Sequence, residues 1–138
     1  MERESFKIIV RRVERPFSQA VDEQLEWLCK CLGFFEEIDK EKTAASVFKE
    51  IIKSTEKGSF LTSTELSKRV SMSRGSVINH LNRLQRSGLI VRQGRFYSTR
   101  SKSVFRTIKE IEEDIDRLFR HMEETARRID KRFGIEVK

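Results

Sequence analysis

Between residues 73 and 86 the chain sets Gly75, Ser76, Asn79, Asn82, Arg83 and Arg86 against Val77, Leu81 and Leu84. At about 100° per residue the three apolar side chains fall on one side of a helix and the polar set on the other. Ser, Asn and Arg hydrogen-bond to base edges in the major groove, Arg to guanine and Asn to adenine, so the implied chemistry is readout of duplex DNA. Gly75 allows the start of such a helix to approach the groove closely. Ser73 supplies the helix cap, and Arg74 beside it is placed to hold a phosphate. His80 reads as a polar residue at the edge of the DNA-facing side or as one packed against a neighbouring hairpin.

The surrounding charge agrees. From residue 66 to residue 109 there is no Asp or Glu, yet Lys68, Arg69, Arg74, Arg83, Arg86, Arg92, Arg95, Arg100, Lys102, Arg106 and Lys109 all fall there. These eleven cations exceed the +7 of the whole chain, so the remainder sums to −4 and the basic excess belongs to one segment. A solvated face usually mixes both signs, whereas an unbroken basic window suits a phosphate backbone. Lys68 and Arg69 flank the preceding helix as backbone contacts. Arg92, Arg95, Arg100 and Lys102 lie on or beside a hairpin, where they straddle a neighbouring backbone or, for Arg95, enter a minor groove.

Other chemistries find no constellation. The six glycines form no phosphate cradle, the two histidines make no HExxH, and no serine sits in a nucleophile elbow, so no catalytic site is expected. The carboxylates Glu110, Glu112, Glu113, Asp114 and Asp116 surround a coiled-coil pattern, where they serve register and solubility. Cys29 and Cys31 are two residues apart on a predicted helix, too close for a disulfide within one, and are read as reduced, small apolar fillers. No metal and no cofactor is expected. The apolar runs are a few residues long against the roughly 20 a membrane span needs, and Lys7, Arg11 and Arg12 break up a secretory signal, which makes the expected setting cytoplasmic, away from membranes.

The elements that must position these residues follow from the pattern of the chain. Phe6, Ile8 and Val10 suggest a short strand closed off by Pro16. Val21, Leu25, Leu28 and Leu32 mark a helix capped by Ser18 and ending near Gly33, with Trp27 and Cys31 widening its apolar face. A charged connector, Glu36 to Lys42, precedes a helix striped by Ala44, Val47, Phe48, Ile51 and Ile52 and ended by Lys57-Gly58. Thr62 and Glu65 form a capping box for a helix over Ser63–Val70, burying Leu66 and Val70. Ser71-Met72-Ser73 turns the chain into the polar-faced helix, which Gly88 stops. Leu89-Ile90-Val91, a Gln93-Gly94 turn and Phe96-Tyr97 then make a hairpin. Helix, helix-turn-helix and hairpin describe a winged helix: a mainly α chain with a small β-hairpin wing.

Val104, Ile108, Ile111, Ile115, Leu118 and Met122 alternate spacings of four and three, and Ala126 and Ile129 continue the line. This is a coiled-coil seam on a long helix from about Ser103 to Phe133, longer than a small winged domain can cover. The same helix in a second chain is the expected partner, supported by Leu25 and Leu28 of the first helix. The organisation expected is 1–42 as dimer support, 43–100 as the DNA-binding domain and 101–138 as the dimerisation helix.

Thr62-Ser63-Thr64-Glu65-Leu66-Ser67, Ser73-Arg74-Gly75-Ser76-Val77-Ile78-Asn79-His80-Leu81, Leu84 and Ser87-Gly88-Leu89-Ile90 resemble winged helix-turn-helix transcription regulators of the ArsR/MarR-like superfamily, of the kind common in archaea. The resemblance covers roughly residues 43–100. It implies a homodimer on a pseudo-palindromic duplex site, with Arg74–Gln85 as reader and Val91–Tyr97 as wing, and terminal helices that make the dimer. It names no small-molecule effector. Metal-sensing ArsR members carry Cys-x-Cys in the helix-turn-helix region or His and Asp ligands on the last helix. Here Cys29-Lys30-Cys31 lies in the first helix, and Asp114 and His121 are seven residues apart, which argues against metal sensing. A rival reading is a winged-helix adaptor between proteins in a transcription, replication or remodelling complex; such adaptors often lose the basic, small-residue face that this chain keeps.

Overall fold

The computed structural model describes residues 9–32 and 43–136. Among them, in chain order, are α1 (Val21–Cys31), α2 (Thr43–Lys57), β1 (Leu61–Thr62), α3 (Ser63–Val70), α4 (Arg74–Ser87), β2 (Ile90–Gln93), β3 (Phe96–Thr99) and α5 (Val104–Arg132). The chain divides into two compact units, Met1–Thr107 and Ile108–Lys138. The first is a winged helix-turn-helix, the second the continuation of the long C-terminal helix.

Local signals fix the middle of the first unit. The Thr62 hydroxyl accepts the Glu65 N–H at 3.2 Å while the Thr62 N–H donates to the Glu65 carboxylate at 3.1 Å, so both halves of the capping box close. That N–H, then the Thr62 hydroxyl and more weakly Arg69 and Arg95, hold the Glu65 carboxyl below the usual carboxylate range. Ser71 ends α3 in the left-handed region at φ 55°, where a Gly or Asn is more usual. Ser73 then caps α4 by accepting the Ser76 N–H at 3.2 Å. Gly88, at φ 86°, stops α4: its N–H donates to the Gln85 carbonyl and that of Leu89 to the Leu84 carbonyl, the two bonds of a Schellman turn.

Packing organises the rest around α2, which meets α1, α3, α4 and β3. Its apolar stripe, Ala44, Val47, Phe48 and Ile51, is buried together with Leu61, Leu66, Val77, Leu81, Leu84, Leu89, Ile90 and Tyr97. Ile52 and Val70, expected in the core, are only half-buried. The sheet has order β1-β3-β2, antiparallel throughout, with Leu61 opposite Tyr97 and Ile90 opposite Thr99. The expected two-stranded hairpin is therefore a three-stranded sheet, because β1 adds to the free edge of β3. Gln93 pairs with Phe96, so the loop is Gly94-Arg95 rather than Gln93-Gly94. Gly94 takes φ 63° at the first loop position, as a two-residue type II′ turn requires. The far end of β3 is tied to α2 where the Thr99 N–H donates to the Thr55 hydroxyl at 3.0 Å.

The N-terminal region departs from expectation in three ways. Of the strand expected over Phe6–Val10 only Ile9 and Val10 are among the described residues, and they are irregular; Gly33 and the connector Glu36–Lys42 lie outside them. Ser18 does not cap α1: its hydroxyl accepts the Ala20 N–H at 3.0 Å and the helix begins at Val21. Leu25, read as dimer support, is buried within the single chain on the α1 face that packs toward α2, as is Cys29, whereas Leu28 is half-buried. Residues 9–20 run along α1, held by the Arg11 N–H to the Cys31 carbonyl at 2.6 Å and the Trp27 indole N–H to the Val13 carbonyl at 3.0 Å. Arg15 stacks over the Trp27 ring at 5.7 Å. Cys29 and Cys31 form no disulfide, and burial pushes the Cys31 thiol up, away from thiolate reactivity.

In the second unit the helix is capped at its C-terminus by Gly134 at φ 69°, with the Ile135 N–H on the Asp130 carbonyl at 2.9 Å. Leu118, Met122 and Ile129 of the expected seam are 46%, 46% and 51% exposed, and Phe119 and Phe133 beside them are exposed too. Ile111 is already buried within the single chain, and Val104, Ile108 and Ile115 are half-buried.

Candidate nucleic-acid interface

The buried side chains of α4, Val77, Leu81 and Leu84, lock the helix rotation. Ser73, Arg74, Gly75, Ser76, Asn79, Asn82, Arg83 and Arg86 are in consequence all exposed. A Cβ added at Gly75 meets nothing within 4 Å, so the chain itself does not require glycine there and the surface at the helix start is open. The Ser73 hydroxyl donates to that of Ser76 at 2.9 Å, which leaves Asn79, Asn82 and Arg83 as side chains without a hydrogen bond inside the described residues. These three share one face at the i, i+3, i+4 spacing, an arrangement suited to reading adjacent bases.

His80 stands apart. Its Nε2 lies 2.9 Å from the Thr43 hydroxyl at the start of α2, and the ring is half-buried. It belongs to the joint between α4 and α2 rather than to the exposed set.

The cations split into those aimed by neighbours and those left open. Arg74 Nε donates to the Ser63 hydroxyl at 3.4 Å, which turns the guanidinium back over the first turn of α3. Arg69 is 3.8 Å from Glu50, an exposed pair worth little. On the wing, Arg92 donates to the Gly94 carbonyl at 2.6 Å and lies over the Tyr97 ring at 5.8 Å, and Arg95 lies over the Phe96 ring at 5.6 Å. Both guanidiniums are thus steadied on aromatic faces of β3. Lys68 and Lys102 are exposed, and Arg100 is half-buried at the end of β3. Lys68, Arg74, Arg83, Arg92, Arg95, Lys102 and Arg106 have no carboxylate within salt-bridge reach among the described residues. Seven of the eleven cations of the basic window are thus not spent on ion pairs among the described residues, while Arg69 and Lys109 pair with Glu50 and Glu112.

Two features do not stand out in the sequence. Phe96 and Tyr97 act as platforms for the wing arginines, a role that appears only once the hairpin register puts Arg92 opposite Tyr97. Arg106, in the first turn of α5, is exposed, with its N–H held by the Ser103 hydroxyl at 3.0 Å. Its place in the basic window is the one signal that points to it. Among the described residues no group of three or more His, Cys, Asp or Glu is arranged to hold a metal ion, and no helix is long and apolar enough to cross a membrane.

Residues 49–91 match the family model described as winged helix-turn-helix DNA-binding. The matched stretch runs from within α2 through α3 and α4 into β2, so it contains the whole helix-turn-helix and supports a DNA-binding regulator. No curated protein and no solved structure matches the chain.

Proposed function

We propose that this chain is a sequence-specific, double-stranded DNA-binding transcription regulator of the ArsR/MarR-like kind, acting as a cytoplasmic homodimer. Its α4 enters the major groove, where Asn79, Asn82 and Arg83 read base edges. Arg74, Lys68 and Arg69 hold the backbone at one side of the groove. The wing, with Arg92 and Arg95 and the flanking Arg100 and Lys102, contacts the backbone at the other. Residues 43–100 form the DNA-binding domain and 101–138 the dimerisation helix, whose seam is Leu118, Met122 and Ile129 with Ile108 and Ile115. The observation that carries the reading is the exposed polar face of α4 with Lys68, Arg74, Arg83, Arg92, Arg95 and Lys102, none of which has a carboxylate within salt-bridge reach among the described residues.

Selection of bound duplexes from a pool of random fragments, followed by sequencing, tests it. The expected outcome is an inverted repeat whose half-site centres are about one turn of DNA apart, roughly 34 Å, or a multiple of that. A bound pool no different from the input would reject sequence-specific reading, and an enriched single half-site would reject the symmetric dimer.

A further inference from the structure

The outer face of the three-stranded sheet is uncharged and carries two exposed rings. Strand pairing sets Phe96 opposite both Thr62 and Gln93, and Ser98 opposite Val91, so these side chains point away from the core that Leu61, Tyr97 and Ile90 enter. Phe60 stands one residue before β1 and, two before Thr62, continues the same face. Phe60 and Phe96 are 43% and 40% exposed, while Leu61 and Tyr97 on the other face are buried. The remainder of the outer face, Thr62, Gln93 and Ser98 around a half-buried Val91, offers hydroxyls and an amide.

The margin of this face is positive. Arg92 and Arg95 lie at the tip of the hairpin, and among the described residues no carboxylate is within salt-bridge reach of either. Glu65 touches the face through Thr62, but its carboxylate is taken up by the Thr62 N–H and hydroxyl at 3.1 and 3.0 Å. Solvent-facing rings beside unpaired guanidiniums are the chemistry of base stacking, in which the ring takes the face of a base and the cations take the phosphates. The spacing of the rings decides between one strand and two. Diagonal neighbours on paired strands lie roughly 7–8 Å apart, about twice the ~3.4 Å between successive bases of a duplex strand. Duplex bases cover one another's faces at that distance, whereas a strand with its bases drawn apart can set one on Phe96 and the next on Phe60. The Arg95 guanidinium, over the Phe96 ring at 5.6 Å, adds a further plane on which a base can stack.

We propose that the outer face of the wing sheet binds single-stranded DNA, with successive bases stacked on Phe96 and Phe60 and the phosphates met by Arg92 and Arg95. This is a second nucleic-acid site beside the polar face of α4. It requires neither duplex reading nor a dimer, so either account can fail alone.

The test uses the full chain and a dye-labelled oligodeoxythymidine of about 12 nucleotides, within the range of lengths that single-strand sites cover. Fluorescence anisotropy is expected to show binding that weakens at least about fivefold in Phe60→Ala and again in Phe96→Ala, the loss of one stacked base in each case. Phe60→Tyr keeps a ring and is expected to bind within about threefold of the unaltered chain. An abasic oligomer with the same number of phosphates is expected to bind at least about tenfold more weakly than the thymidine oligomer. Phe60→Ala is expected to leave the affinity for a random duplex within about threefold, and circular dichroism checks its fold. A chain that binds duplex but no oligodeoxythymidine overturns this inference alone; one that binds neither overturns the duplex reading with it. Equal binding of the abasic and thymidine oligomers, or indifference to Phe60→Ala, means that charge alone holds the strand and overturns the stacking site. A change of sedimentation in Phe60→Ala means that a second copy covers the face, and overturns it as well.

Discussion

Leu118→Lys is expected to convert the proposed dimer into monomers and, with it, to remove most of the affinity for a two-half-site duplex. Leu118 is 46% exposed in the single chain, so its replacement removes no buried side chain. In the dimer each copy contributes one Leu118 to the seam. Forgoing the burial of two leucines, at about 1.5–3 kcal/mol each, already predicts a dissociation constant raised roughly 100-fold or more. The two new ammonium groups add a desolvation cost in the same direction. Loss of the dimer separates two linked binding events, so affinity for a full site is expected to fall by about 10²–10⁴-fold. Sedimentation velocity reads the first effect and fluorescence anisotropy with full and half sites the second. A variant that remains dimeric, or one that becomes monomeric and binds the full site as before, contradicts the assignment of α5.

Arg83→Ala and Arg95→Ala are expected to fail in different ways. Arg83 is exposed on the face of α4 opposite Leu81 and Leu84, with no ion pair or hydrogen bond among the described residues. In the proposed role of bidentate guanine reader it would contribute discrimination of about 1–3 kcal/mol per base pair, twice over in the proposed two-fold dimer. Its removal is therefore expected to lower the ratio of selected-site to random-duplex affinity by at least about tenfold while leaving the random-duplex constant within a factor of a few. Arg95 sits in the hairpin loop, stacked over Phe96, and in the proposed interface it contacts sugar and phosphate. Arg95→Ala is expected to weaken both duplexes alike and to make the salt slope shallower by about one for each phosphate that is no longer neutralised. Small, equal effects from the two substitutions would remove the division between reader and wing.

What the sequence disclosed and what it withheld divide along the range of the interactions. The span Ser63–Val70 was legible because Thr62 and Glu65 satisfy each other's backbone within four residues, and the end of α4 because Gly88 supplies a left-handed φ at the point where the apolar spacing stops. The exposed, polar side of α4 followed from the same local geometry, since Val77, Leu81 and Leu84 had to be buried. The two-residue β1 was illegible: Leu61 shows its strand character only through pairing with Tyr97, far along the chain. His80 looked like part of the polar face and was withdrawn from it by Thr43, a partner that only tertiary packing supplies. Leu25 looked available to a second chain because periodicity reports that a face is buried without reporting what buries it. Ser18 had the chemistry of a cap and lay two residues too early, where its hydroxyl closes a turn on Ala20 instead.

The central claim is that the cations around α4 and the wing are held open for phosphates, and the salt dependence of duplex binding tests it most directly. With four or five phosphates neutralised per subunit, the logarithm of the association constant is expected to fall against the logarithm of salt concentration with a slope of roughly −7 to −9. A slope near zero would mean that no phosphates are engaged, and the interface described for Arg74, Arg83, Arg92 and Arg95 would have to be given up.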